Sequence, residues 1–187
     1  MEHTSNQDSI FKIAANLIGA CLISGLIIAI TYSLTHGIAE EKQIELKQLS
    51  LQSLVVEADD YQEIEGKEEW YTAQKDGQVI AYIVPAASKG YGGTIELLVA
   101  IDLDLKVIKY SITESNETPG LGDKASAPLF ADQFIGKGAE ALEVTKDPTQ
   151  KELIQSISGS TITSRAVTKA VREAVEEVAA FTQGGKS

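Results

Sequence analysis

Residues Ile13 to Leu34, IAANLIGACLISGLIIAITYSL, carry no charged side chain. At 1.5 Å per residue this stretch makes a helix of about 33 Å, enough to cross a hydrocarbon core of about 30 Å. It is longer than the roughly 7–15 apolar residues of a signal peptide, and Lys12 is the only basic residue ahead of it. Gly37-x-Ala39 has the small-x-small form of a cleavage site, but the length favours an uncleaved anchor. The chain is therefore expected to be a single-pass protein of the cell (inner) membrane, with the lipid bilayer as its first partner. Lys12 on one side and Lys42 and Lys47 among Glu40, Glu41 and Glu45 on the other leave the positive-inside count nearly balanced. A short tail and a large C-terminal part are compatible with a domain on the extracytoplasmic side. Ala20, Ser24 and Gly25 offer a small-residue face to another helix, and Cys21 reads as apolar filler.

Whatever follows the anchor needs its own core. Glu40 to Val56 places Ile44, Leu46, Leu49, Leu51, Leu54 and Val55 in a helical pattern, a stalk with a break near Ser50, and Ala58 to Gly66 reads as an acidic loop. Trp70 to Ala73 and Val79 to Val84, joined at Asp76-Gly77, form a hairpin pattern. Thr94 to Ile101 and Lys106 to Thr113 read as strands around an Asp102-Leu103-Asp104 turn, and Ala141 to Val144 as a short one. Thr163 to Thr182 closes the chain as a helix whose stripe is Val167, Ala170, Val171, Ala174, Val175, Val178 and Phe181. The fold class is α+β: one N-terminal transmembrane helix, then a small antiparallel-sheet domain with a closing C-terminal helix. The boundaries are a tail at 1–12, the membrane helix at 13–35, a stalk at 36–66 and the domain at 67–187.

Composition removes several chemistries. A formal charge of −11 opposes a duplex nucleic-acid partner. One cysteine excludes an intramolecular disulfide and an all-cysteine metal site. His3 and His36 both precede the domain, which leaves it without an imidazole base or ligand and without a Ser-His-Asp triad. We expect no catalytic residue and no metal. The chemistry must come from hydroxyls, carboxylates, backbone or a borrowed cofactor.

Three glycine-containing segments remain. Lys89-Gly90-Tyr91-Gly92-Gly93 is either a tight connection between strands or a surface for something flat. Glu117-Thr118-Pro119-Gly120-Leu121-Gly122-Asp123-Lys124 carries a Pro-Gly type II turn signal and is either a rigid loop or a cradle for a planar polar ligand. Ser158-Gly159-Ser160-Thr161-Ile162-Thr163-Ser164 precedes the last helix. Its hydroxyls can cap that helix, or an anion can sit at the positive end of its dipole. No P-loop pattern is present.

Together these segments, behind one membrane helix, resemble the G subunit of the Rnf electron-transport complex, whose FMN-binding domain is shared with the C subunit of the sodium-translocating NADH:quinone reductase. The likeness extends over essentially the whole chain. It implies FMN bound covalently, its phosphate esterified to a threonine in an Asp-x-x-Ser/Thr-Gly-Ala-Thr signature. Ser158, Gly159 and Thr161 match that signature, while Ser160 stands for the alanine and Gln155 for the aspartate. By resemblance Thr161 is the acceptor and Thr163 the second candidate. Glu117, Thr118, Gly120, Leu121, Gly122 and Lys124 would line the isoalloxazine ring, with Tyr91 near it. The implied function is an electron relay, without a catalytic site of its own, in a complex that couples ferredoxin oxidation and NAD reduction to ion movement. The implied partners are the other subunits, a second flavin-carrying membrane subunit among them, and a flavin transferase for maturation. The alternative is a membrane-tethered ligand-binding or sensory domain without covalent flavin, and the departures at Gln155 and Ser160 are what favour it.

Overall fold

The structure is a computed structural model. It describes residues 4–184, with side chains at 12–32 and 47–184. The expected roles of His3, His36, Gly37, Ala39, Glu40, Glu41, Lys42, Ile44, Glu45 and Leu46 lie outside the described side chains. The chain divides into two units, Met1–Gln48 and Leu49–Ser187.

The first unit is helical. α1 is assigned over Thr4–Leu54 and passes Ser50 without the expected break. Its Lys12–Tyr32 segment, 21 residues, is long and apolar enough to cross a membrane. This segment has no polar face, and its large side chains are solvent-exposed, Leu22 at 68% and Ile28 at 69%. Exposed apolar surface of that extent points to a non-aqueous environment.

The second unit is built on a five-stranded antiparallel meander: β1 (Asp60–Glu63), β2 (Tyr71–Lys75), β3 (Gln78–Lys89), β4 (Thr94–Asp102) and β5 (Val107–Glu114), in that spatial order. Asp76 and Gly77 both have positive φ, 52° and 76°, and join Lys75 to its partner Gln78. This is the two-residue turn that an Asp-Gly pair favours. The stretch expected to be loop, 58–66, holds β1, a strand whose acidic side chains lie outward at the sheet edge, where charge discourages further pairing.

Alternation along β4 decides what covers the sheet. Ile95, Leu97, Val99 and Ile101 face one side, and Leu98 and Ala100 the other. The first side is covered by α3 (Thr161–Gly184), through Val167, Ala170, Val171, Ala174, Val175 and Val178, as the stripe predicts. Phe181, at the stripe's end, is 36% exposed and sets its ring edge-on to Trp70 at 5.4 Å. The second side is covered by Leu51, Leu54 and Val55 at the end of α1, packed on Tyr71, Ala73, Ala81 and Ile83. The sheet is thus buried on both faces rather than on the one that the closing helix alone would cover.

Between β5 and α3 the chain makes short pieces: a 3-10 turn at Gly122–Ser126, α2 (Pro128–Ala131), and two more 3-10 turns at Asp132–Phe134 and Ala139–Ala141. The strand expected at 141–144 is displaced: β6 is Val144–Thr145, paired in parallel with β7 (Ile154–Gln155). Phe130 and Phe134 anchor this region, their rings 5.3 Å apart and Tyr110 5.0 Å from Phe134.

Candidate functional site

The three glycine-containing segments converge at the head of α3. Gly90 to Gly93 forms the tip between β3 and β4, closed by the Gly90 N–H donating to the Gly93 carbonyl at 2.7 Å. The tight-connection reading of this segment holds. The Pro119-Gly120 pair makes the expected turn: Gly120 has φ 78°, and the Leu121 N–H donates to the Thr118 carbonyl at 3.1 Å. Both ends of this loop are tied down. At the far end the Tyr110 hydroxyl donates to the Ala125 carbonyl, and burial, with Asp132 nearby, pushes that phenol far above its ordinary pKa.

The near end is tied by Glu117. Its Oε1 accepts from the Gly92 N–H at 2.9 Å, and its Oε2 accepts from the Thr163 hydroxyl. One carboxylate thus joins the hairpin tip, the Pro-Gly loop and the first turn of α3. The glycines make room for it. A Cβ on Gly90 would stand 2.3 Å from Glu117 Oε1, and one on Gly122 2.5 Å from Oε2. A Cβ on Gly92 would meet the Asn116 carbonyl oxygen at 2.0 Å. In the sequence these glycines read as freedom for the backbone. At Gly90, Gly92 and Gly122 they are clearance for a neighbouring segment.

At the head of α3 the hydroxyls divide by occupation. Ser164 Oγ donates to the Ser160 carbonyl at 2.9 Å and accepts from the Ile157 N–H at 2.9 Å. Thr163 is 2% exposed and given over to Glu117, and Ser160 is 7% exposed. Thr161 is half-buried and its hydroxyl has no hydrogen-bond partner among the described residues; the Ser160 hydroxyl has none either, but belongs to the more deeply buried residue. The amides of Thr161, Ile162 and Thr163 likewise have no protein acceptor among the described residues, as is usual for a helix start.

Thr161 opens into a cavity of about 610 Å³. Of the residues that the sequence singles out, Tyr91, Glu117, Leu121, Gly122, Gly159, Ser160, Thr161 and Thr163 line it. Lys146 lines it too, and no sequence pattern points there. Lys124 and Ser158 lie instead on a neighbouring groove of about 740 Å³, walled by Leu129, Phe130 and Ile157. Thr118 and Gly120 line neither. Gly159, with φ 81°, lines the first cavity and its neighbour Ser158 the second; a Cβ on Gly159 would come within 3.3 Å of Leu121. Gln155, standing where the resemblance expects aspartate, donates from Nε2 to the carbonyls of Asp147 and Gln150 at 3.0 Å each.

An uncommitted hydroxyl, three helix-start amides and a lysine, with a neighbouring apolar groove, suit a phosphate joined to a flat ring. These features fit a domain that holds a phosphate-bearing cofactor, and the apolar segment Lys12–Tyr32 precedes it. The FMN-binding domain family matches residues 90–176, from the hairpin tip into α3. The G subunit of the proton-translocating ferredoxin:NAD(+) oxidoreductase complex of Clostridium ljungdahlii is 52% identical over 100% of both chains. The G subunit of the Na(+)-translocating ferredoxin:NAD(+) oxidoreductase complex of Acetobacterium woodii is 32% identical over 89% of this chain and 90% of that one. The C subunit of the Na(+)-translocating NADH-quinone reductase of Parabacteroides distasonis, a solved structure, aligns over 56% of this chain and 57% of that one, with 28% identity and a TM-score of 0.48. The chain belongs to the family of Rnf G subunits.

Proposed function

We propose that this chain is the electron-carrying member of an ion-translocating ferredoxin:NAD oxidoreductase complex, with FMN joined through its phosphate to Thr161 Oγ. Joining FMN itself to a threonine would release water and run uphill, so the donor must be activated. A flavin dinucleotide meets that need: Thr161 Oγ forms the new bond to the flavin-side phosphorus, the bond between the two phosphates breaks, and a nucleoside monophosphate leaves. The hydroxyl proton passes to the flavin transferase that brings the donor. Once attached, FMN supplies reversible one-electron transfer. This chain's residues hold it. The amides at the head of α3 would hold the phosphate monoanion. Leu121 and Gly159 would lie beside the ribityl chain, and Leu129, Phe130 and Ile157, with Lys124, would offer the ring an apolar bed.

The observation that carries this reading is the division of hydroxyls: Thr163, the other candidate acceptor, is buried and bonded to Glu117, whereas Thr161 is half-buried and uncommitted. The partners are the complex's other subunits, a second flavin-carrying membrane subunit among them. We place the domain on the extracytoplasmic side, where a covalent link keeps the flavin from being lost by dilution. Co-expression with a flavin transferase tests the attachment. Thr161→Ala should lose all flavin fluorescence in a denaturing gel, and Thr163→Ala should keep it. Fluorescence surviving in Thr161→Ala would contradict the assignment.

A further inference from the structure

Among the described residues Lys146 is the single cation lining the cavity at Thr161, and the loop that carries it is braced more heavily than its exposure requires. Gln155 Nε2 donates to two carbonyls of that loop, those of Asp147 and Gln150, at 3.0 Å each. Gln155 is itself fixed, its N–H donating to Gln133 Oε1 at 2.7 Å. The Thr145 hydroxyl donates to Gln150 Oε1 at 2.6 Å and accepts from the Asp147 N–H at 3.0 Å. Asp147 Oδ1 takes both the N–H and the hydroxyl of Thr149, at 2.9 and 2.7 Å, and these bonds hold its carboxyl below the usual range. An exposed lysine on a free loop spreads over many rotamers and loses most of its electrostatic value to solvent. A braced backbone from Thr145 to Gln155 fixes where the Lys146 side chain starts and confines its reach to the cavity it lines.

We infer that Lys146 binds the phosphate joined to Thr161, and that Gln155 is the positioning residue that keeps the Lys146 loop beside it. This rests on the attachment proposed above. The phosphodiester carries one negative charge in a chain of net charge −11, with the Glu117 carboxylate lining the same cavity, so a local cation is needed as well as the helix amides. Only an N–H donor at position 155 serves both carbonyls.

The test follows flavin incorporation by intact mass, using the full-length chain in detergent, a flavin transferase and a flavin dinucleotide. At low salt Lys146→Met should incorporate flavin roughly fivefold more slowly, the most that one exposed charge pair supports. Lys146→Arg should stay within about twofold of wild type, and high salt should close the gap between wild type and Lys146→Met, because screening removes the same interaction. Gln155→Leu, which removes the donor without introducing the carboxylate of the signature, should slow incorporation as Lys146→Met does, and adding it to Lys146→Met should slow it no further. The loaded chains give a second readout: the phosphorus resonance of the linked phosphate should move in Lys146→Met and return in Lys146→Arg. Incorporation at the wild-type rate in Lys146→Met at low salt, with Thr161→Ala unlabelled, would overturn the role of Lys146 and leave the attachment standing. Labelling of Thr161→Ala at the wild-type rate would overturn the attachment, and the role of Lys146 with it.

Discussion

The two hollows, one lined by Gly159 and the other by its neighbour Ser158, differ in almost everything else. The one at Thr161 is lined by groups with charge or hydrogen bonds to give, among them Lys146, Glu117 and the hydroxyl of Thr161. The one at Ser158 is walled by Leu129, Phe130 and Ile157. Both depend on the same short connections between β5 and α3, yet their walls are fixed by different means. Hydrogen bonds across long sequence separations hold the polar side: Glu117 reaches Gly92 and Thr163. Packed rings hold the apolar side, Phe130 on Phe134 and Phe134 on Tyr110. A directional network can fix a phosphate to one place, whereas a packed wall needs only the right shape to accept a ring.

Substitutions can break this contrast one wall at a time. Phe130 is 3% exposed, so Phe130→Ala should cost about 3 kcal/mol by leaving a cavity, seen as a lower denaturation midpoint of the full chain in detergent. On the polar side Gly92→Ala drives a methyl into the Asn116 carbonyl and should cost about 2 kcal/mol, and backbone amide shifts at Tyr91 should report the displaced tip. Glu117→Ala leaves the Gly92 N–H and the Thr163 hydroxyl without their acceptor, for about 1–2 kcal/mol, and Glu117→Gln should recover part of it in the same denaturation experiment. Leu129, 91% exposed on the apolar groove, should move stability by less than about 0.5 kcal/mol when changed to Asp, while shifting the flavin absorption band. The smallest effect is acid sensitivity at Asp147. Its carboxyl is lowered by the Thr149 bonds, so its contribution is present above the unfolded carboxylate range and lost as pH falls through the lowered folded value. The Thr149 amide resonance should follow that titration while the core resonances do not move.

What is legible in the sequence has a local cause. Asp76-Gly77 and Pro119-Gly120 fix their turns through their own φ preferences, and the stripe from Val167 to Val178 needs only helical periodicity. The membrane helix is legible for the opposite reason, having no polar face at all. The features that escape the sequence have distant causes. β1 is hidden because an edge strand with outward acids resembles a loop in composition. The burial of Leu51 and Leu54 depends on the sheet face they meet, which nothing in their own segment reveals. The bonds that the Glu117 carboxylate makes to partners 25 and 46 residues away could not be read from its own segment. Lys146 sits in no motif; it lines the same cavity as Thr161 and follows β6, which pairs with β7.

The central claim is a phosphoester between FMN and Thr161, whose half-buried hydroxyl at the head of α3 is uncommitted. Its most direct test is peptide mass mapping of the full chain purified from native membranes under denaturing conditions. The account predicts one FMN, less water, on the peptide that contains Thr161, with fragmentation placing it on that residue. An unmodified Thr161 peptide from a complex that still transfers electrons would contradict it.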